Sequence, residues 1–336
     1  MTRPIDQLNR PMHDLRISVT DRCNFRCTYC MPKGVFGRDY QFMPQDQLLS
    51  FEEIERITRV FVDLGVRKVR LTGGEPLMRR ELETLVTKLT SIPLVEDLAV
   101  TSNGSFPLAR VQSLKDAGLK RITVSLDALD DETFMAMNDV DFPVSNVLAW
   151  IEASSAAGLG PVKINMVVKR GVNEHAILPM ARYFREKGHI LRFIEYMDVG
   201  HSNGWRMDDV VSAREIRDII HAEMPLEPLG ANYRGEVAER YRYADGSGEI
   251  GIIASVSQPF CGACSRARLS ADGQLFTCLF AIRGTDLRGL LRNGASDEDL
   301  REAISKVWLK RVDRYSELRS AQTKDLPKVE MSYIGG

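Results

Sequence analysis

The sequence predicts an α/β protein: a partial (β/α)6 barrel of the TIM type with a mixed α+β C-terminal lobe. Three observations carry that expectation. From Asp14 to about Tyr196, short β-rich runs alternate with amphipathic helical stretches. Six βα units in a row imply a parallel sheet with helices outside, and six fall short of the eight of a closed barrel, so the barrel should be open. Beyond about residue 223 the texture changes to hairpin-like alternation, without repeats or low-complexity tracts. The expected division is an extension over 1–13, the partial barrel over 14–223 and a C-terminal domain over 224–336.

The strand candidates are Leu15–Val19, Lys68–Leu71, Asp97–Thr101, Arg121–Leu126, Val162–Val168 and Ile190–Tyr196. Between the first two, Ser50-Phe-Glu-Glu reads as a serine cap with glutamate at N3, opening a helix that closes at Gly65. That helix places Ile54, Ile57, Val60, Phe61 and Leu64 on one face. Later helices are expected over Arg80–Leu89, Pro107–Ala117, Val144–Ala157 and Glu174–Glu186, the last two followed by Gly158 and Gly188. Asp208–Glu223 reads as a further helix, with Ser212 capping and Glu215 at N3. Glu239–Ser257 then alternates about Asp245-Gly-Ser-Gly, and Arg266–Leu279 about Asp272-Gly273, a dipeptide that favours a hairpin. Ser296–Arg311 closes the series as a capped amphipathic helix, while the loop over 33–47 gives no indication of its fold.

With 336 residues, 44% hydrophobic and 27% charged, the profile is that of a soluble globular chain. A net charge of −1 argues against binding nucleic acid through bulk electrostatics, so an anionic ligand would need locally placed arginines. No stretch approaches a signal peptide or the ~20 apolar residues of a membrane span, and a cytoplasmic location is the default. In that reducing compartment clustered cysteines bind metal or do redox work more often than they form disulfides. The six cysteines fall into two groups: Cys23, Cys27 and Cys30, then Cys261, Cys264 and Cys278.

Cys23-x3-Cys27-x2-Cys30 directly follows the first strand candidate. A loop there can wrap three thiolates around one small object. A [4Fe–4S] cube takes four ligands, usually thiolates, so three supplied locally leave one iron open for a ligand with its own N and O donors. The amino acid end of S-adenosylmethionine has both. A zinc site completed by His13 or His201 is the plainer alternative, but zinc motifs are usually paired Cys-x2-Cys or Cys/His sets.

Cys-x3-Cys-x2-Cys after strand one of a βα protein resembles the radical S-adenosylmethionine superfamily. Within it, Leu15-Arg-Ile-Ser-Val-Thr-Asp-Arg-Cys-Asn-Phe-Arg-Cys-Thr-Tyr-Cys-Met-Pro32 resembles the molybdenum cofactor biosynthesis protein A family, the GTP 3′,8-cyclases. The resemblance covers nearly the whole chain. It implies a 5′-deoxyadenosyl radical that takes hydrogen from C3′ of GTP, followed by addition of C3′ to C8 of guanine. The product would be 3′,8-cyclo-7,8-dihydro-GTP, passed on to the synthase of cyclic pyranopterin monophosphate. An electron donor is implied, and the chain would act as a monomer or homodimer.

Thr72-Gly-Gly-Glu-Pro76 follows strand two. Its glycines allow close approach to a ligand, and its carboxylate could accept from an ammonium; an ordinary turn is the competing reading. The resemblance assigns Gly74, Tyr29, Ser125 and Met197 to S-adenosylmethionine, although an aromatic or a methionine is more often core filler. A triphosphate needs arginine forks or lysines converging from several elements. Arg16, Arg70 and Lys163 lie on strand candidates, and Arg266 and Arg268 share one face of another. Singly, each could be a solvated arginine or lysine at a sheet edge. The resemblance makes these five, with Thr101 and Ala267, the GTP site, and places Arg16, Arg266 and Arg268 nearest catalysis.

Cys261-x2-Cys264-x13-Cys278 again supplies three thiolates, and by spacing alone zinc completed by His201 or His221 stays open. The resemblance implies instead a second [4Fe–4S] cluster, carried by the C-terminal lobe and facing the guanine. The tail Met331-Ser-Tyr-Ile-Gly-Gly336 could be a simple disordered end; the resemblance implies that Gly335 and Gly336 insert into the active-site pocket. The competing functions are a peptide-modifying radical enzyme and a non-catalytic zinc protein.

Overall fold

The structure, a computed structural model, describes residues 3–319 and 328–336. Six strands form the barrel: β1 Asp14–Ser18, β2 Lys68–Thr72, β3 Asp97–Ser102, β4 Arg121–Ser125, β5 Lys163–Val168 and β6 Ile190–Glu195. Six more follow: β7 Leu226–Leu229, β8 Glu239–Tyr243, β9 Glu249–Ile253, β10 Arg266–Leu269, β11 Gln274–Phe276 and β12 Thr285–Asp286. All twelve join one open sheet in the order β12-β11-β10-β1-β2-β3-β4-β5-β6-β9-β8-β7. The C-terminal strands extend both edges of the barrel: β10 runs parallel to β1, and β9 runs parallel to β6. The hairpins expected at Asp245 and Asp272 form as β8–β9 and β10–β11.

Strand alternation sorts the residues. Leu15, Ile17, Val69, Leu71, Leu98, Val100, Ile122, Val124, Ile164, Met166, Leu191 and Phe193 are buried in the core against the outer helices. The alternate positions point inward, and most of the residues there are polar. Register rows across the sheet read Arg268–Arg16–Arg70–Ala99–Arg121, then Thr123–Lys163–Ile190, then Ser125–Asn165–Arg192–Gly251. Parallel strands are usually apolar on both faces. This barrel is lined for a charged guest.

The capping boxes expected at Ser50/Glu53 and Ser212/Glu215 are present, and Ser296 forms a third with Asp299. The sequence reading missed the short helices Leu287–Arg292, Tyr315–Leu318 and Met331–Ile334, and also Asp131–Asn138, capped by Asp130, whose C-terminal carbonyls at Met137 and Asn138 accept from Thr28 and Arg26 of the first cysteine loop. Among the described residues no helix is long and apolar enough to cross a membrane.

Candidate active site

The first cysteine loop is held from three sides. Backbone amides of Gly74 and Glu75 donate to the carbonyls of Thr20 and Arg22, each at 2.8 Å. A Cβ on Gly74 would stand 2.2 Å from the Arg22 oxygen, and one on Gly73, at φ +144, 2.3 Å from that of Thr20. The two glycines thus admit the cysteine loop itself. Glu75 accepts from Asn103 N, Ser102 Oγ and Leu77 N, so its oxygens hold neighbouring loops, while burial raises its pKa to about 7. From below, the Arg26 guanidinium donates to the carbonyls of Cys23, Phe25 and Phe36. The loop over 33–47 folds over this arginine, with Phe36 buried, Phe42 under both Arg22 and Arg26, and Met43 N donating to Asp21.

Cys23, Cys27 and Cys30 all face one cavity of about 1820 Å³, its open mouth included. Burial first, then Glu75, pushes the Cys23 thiol up to about 12; burial and Asp127 raise Cys27, and burial raises Cys30. Tyr29 donates its hydroxyl to Asp127 at 2.8 Å. The second triad lines the same cavity. A short turn at Cys261–Ala263 carries Cys261, and Cys264 directly follows it. The N-terminal extension braces that turn: Arg10, paired with Asp6, donates to the carbonyl of Cys261 at 2.8 Å. Arg311 donates to the carbonyl of Cys264 and, at 3.1 Å, to its sulfur. Burial works upward on Cys264, but Arg266 and Arg311 outweigh it and bring the thiol down to about 7, whereas burial takes Cys278 up to about 11.

The imidazoles weighed for zinc are engaged elsewhere. His13 pairs with Asp14 and stacks on Tyr233, His201 accepts from the Lys328 amide, and His221 accepts from the Leu226 amide. Two triads of thiols with no imidazole brought to them fit clusters that take a further ligand from a bound molecule.

Between and below the triads lies the cationic row. A second cavity of about 1040 Å³ opens at the N-terminal ends of the strands and shares Arg16, Arg70, Arg192 and Arg266 with the first. Among the described residues no carboxylate pairs with Arg16, Arg70, Lys163, Arg192, Arg266 or Arg268, whereas Arg121 and Lys68 share Asp97. Burial and the neighbouring cations depress Arg16, Arg70, Lys163, Arg192 and Arg268. Arg16 falls well below its usual value, Lys163 to about 8, Arg192 to about 9 and Arg268 to about 10. Like charges held this close call for a polyanion.

Most of the site residues expected from the sequence converge. Tyr29, Gly74, Thr101, Ser125 and Met197 line the upper cavity, and Lys163 lines the lower. Ala267 differs: it pairs with Leu15 and is wholly buried in the apolar core, away from the cavity between the two arginines. The tail ends inside, where the Gly335 carbonyl accepts from Arg268 and Gly336 lines the cavity. Gly335 sits at φ +76, and a Cβ there would be 2.3 Å from Thr72 Cγ2. Sequence reasoning missed Lys68, Arg192, Asn103 and Asn165. The signal was available for two of them, because Asn165 and Arg192 occupy inward positions of β5 and β6 by the period-two rule.

Residues 17–184 match the Radical SAM superfamily, and residues 189–317 match Molybdenum Cofactor Synthesis C. Streptococcus suis SuiB bound to S-adenosylmethionine superposes with a TM-score of 0.60 at 15% identity, covering 95% of this chain and 73% of that one. The fold and its cysteine loop are therefore those of a radical SAM protein. A GTP 3′,8-cyclase from Acidothermus cellulolyticus is 52% identical over the full length of both chains. One from Staphylococcus aureus strain N315 is 48% identical over 98% of each. The chain belongs to the GTP 3′,8-cyclase family.

Proposed function

We propose that this chain converts GTP to (8S)-3′,8-cyclo-7,8-dihydro-GTP, the first step toward the pyranopterin of molybdenum cofactor. The observation that carries the reading is the unpaired cationic row of Arg16, Arg70, Arg192, Arg266 and Arg268, set in the same cavity as two cysteine triads. When bound, a [4Fe–4S] cluster on the first triad and S-adenosylmethionine supply the radical that removes hydrogen from C3′; a second cluster sits on the second triad. The chain does the rest by placement. Gly74, Tyr29, Ser125 and Met197 hold the adenosylmethionine beside the first triad. The cationic row, with Lys163 below it, takes the triphosphate, and Arg266 and Arg268 on β10 bring the nucleotide against the second triad. Arg16, in register with both Arg268 and Arg70, stands where the two ligands meet. The double-glycine tail closes the cavity and excludes water.

The thiols suit a reducing cytoplasm, where an electron donor would serve the clusters and the cyclic pyranopterin monophosphate synthase would take the product. The chain works as a monomer or homodimer. The test is anaerobic: reconstituted protein, dithionite, S-adenosylmethionine and GTP should yield 5′-deoxyadenosine and the cyclised nucleotide by mass spectrometry. Protein that holds zinc alone, or cleaves S-adenosylmethionine without altering GTP, would defeat the reading.

A further inference from the structure

The loop that follows β6 has two faces, and each holds a different part of the molecule. On the inner face Met197 lines the upper cavity. Asn203 Nδ2 donates to the Met197 carbonyl at 3.0 Å and, at 3.4 Å, to the carbonyl of Tyr29, which lies between Cys27 and Cys30. The Tyr196 hydroxyl donates to the Asn203 carbonyl at 2.7 Å and folds the loop back on the strand end.

On the outer face the same loop grips the end of the chain. Asp198, 3% exposed, accepts from Lys328 Nζ at 3.0 Å, from Arg319 Nε at 2.9 Å and from the Tyr315 hydroxyl at 2.7 Å. Lys328 donates also to the Asp198 carbonyl at 2.9 Å, and its amide to His201 Nε2 at 2.6 Å. Glu330 then accepts from His201 N and Ser202 Oγ, each at 3.0 Å. A Cβ on Gly200, at φ +68, would collide with Glu330 Oε2, so this glycine admits the carboxylate. Residues 197–203 therefore bind the segment that leads to the double glycine while presenting Met197 to the cavity. Burial works upward on Asp198, but Arg319, Tyr315 and Lys328 outweigh it and keep the carboxylate charged. An acid and two cations buried together gain little net stability, because desolvation offsets their attraction. Their effect is to fix one arrangement, since loss of any member strands a buried charge.

We propose that Asp198 is a positioning residue, through which the C-terminal segment holds Met197 in place for S-adenosylmethionine. The proposal rests on the assignment of Met197 to that ligand in the function proposed above. Lys328 and Glu330 do not themselves line the cavity, so they act on the ligand only through the loop. Coupling of this kind is reciprocal: a ligand that fixes the inner face also steadies the segment on the outer one. Tight binding of S-adenosylmethionine thus belongs to a chain whose C-terminal segment is docked.

The test uses the cluster-loaded full-length enzyme in three forms. They are wild type, Asp198→Asn, which keeps the shape but leaves two buried cations without their acid, and Glu330→Ala, which touches only the outer face. Anaerobic equilibrium binding is measured for S-adenosylmethionine and GTP, together with iron content. Hydrogen exchange over 328–336 is followed by mass spectrometry with and without S-adenosylmethionine, which should slow it in wild type. Asp198→Asn should bind S-adenosylmethionine roughly 10-fold more weakly and Glu330→Ala roughly 3-fold, with GTP affinity and iron content unchanged and the slowing lost. In a Met197→Ala background Glu330→Ala should weaken binding no further. Unchanged S-adenosylmethionine affinity in both variants overturns the proposal, and so does exchange over 328–336 that the ligand leaves as it was. Equal weakening of GTP, or loss of iron in Glu330→Ala, overturns it too, because the segment would then support the whole fold rather than Met197. Should Asp198→Asn alone fail to take up iron, Glu330→Ala decides. Wild-type enzyme that binds no S-adenosylmethionine takes the parent reading down; wild type and variants that bind it equally take down this proposal alone.

Discussion

The two cysteine triads face one cavity from opposite electrostatic settings. Around the first the close charges are carboxylates, Glu75 and Asp127, and burial with these neighbours raises its thiols. Around the second they are guanidiniums, Arg266 and Arg311, which bring Cys264 down to about 7. The difference sorts the two ligands. S-adenosylmethionine carries a positive sulfonium and suits the triad beside buried carboxylates. On the proposed function GTP, with several negative charges, goes to the second triad, next to β10 with its Arg266 and Arg268. One enclosed space can hold both without exchange because its two ends differ in sign.

The largest expected effect breaks the comparison outright. Cys27→Ser should abolish 5′-deoxyadenosine formation, since the open-cornered cluster cannot assemble on two thiols. Cys264→Ser should leave that cleavage running while the cyclised nucleotide disappears. Both products are measured in one mass-spectrometric assay; an active Cys27→Ser enzyme, or a Cys264→Ser enzyme that still cyclises, would erase the division of labour.

Next in size is Arg268→Ala. Arg268 is buried, unpaired with any carboxylate in the described chain, and holds the Gly335 carbonyl. Its loss removes a charge-assisted contact to phosphate and an anchor of the tail, so kcat/KM for GTP should fall on the order of 100-fold with iron content unchanged. Gly335→Ala touches only the tail. The added Cβ meets Thr72 at 2.3 Å in a backbone conformation that disfavours side chains, so cyclisation should drop about 10-fold while adenosylmethionine cleavage continues uncoupled. Equal loss of both activities would place the tail nearer the first triad than the second.

How much of this could be read from the sequence depends on range. Period-two alternation and serine caps are local; they placed β1 to β6 within a residue or two, the capping boxes at their residues, and the two hairpins at their turns, though with ends three or four residues too long. The cysteine spacings are local too. What local signals could not show is that β9 and β10 would leave the C-terminal region and lie against β6 and β1, because strand pairing at such separation leaves no mark in either strand. Arg192 lies at an inward position of β6 that alternation alone marks; what stayed hidden is the cavity it faces. Read alone, Ile-Leu-Arg-Phe-Ile-Glu is a buried strand with one misplaced charge; only with Asn165 and Gly251 on either side does the arginine face a cavity. The Arg10–Asp6–Arg311 brace behind the second triad joins the two ends of the chain and was equally invisible.

The smallest effect concerns the cationic end alone, and its sign can be worked out. Burial, then Arg192 and Arg121, lowers Lys163 from 10.5 to about 8 in the ligand-free protein. A bound triphosphate neutralises its neighbours and favours the charged ammonium, so the pKa rises again on binding. Below pH 8 the lysine is already charged and affinity is flat. Above it, binding takes up a proton, and affinity falls as pH rises until the bound-state value is reached. Between pH 7 and 8.5 GTP affinity should drop roughly fourfold, by the fraction of Lys163 still charged in the free protein. Lys163→Arg, which stays protonated, should flatten the curve, and S-adenosylmethionine affinity at the far end of the cavity should not follow it. A decline that survives in Lys163→Arg would mean that the titrating group lies elsewhere, with the thiols of the second triad the next to examine.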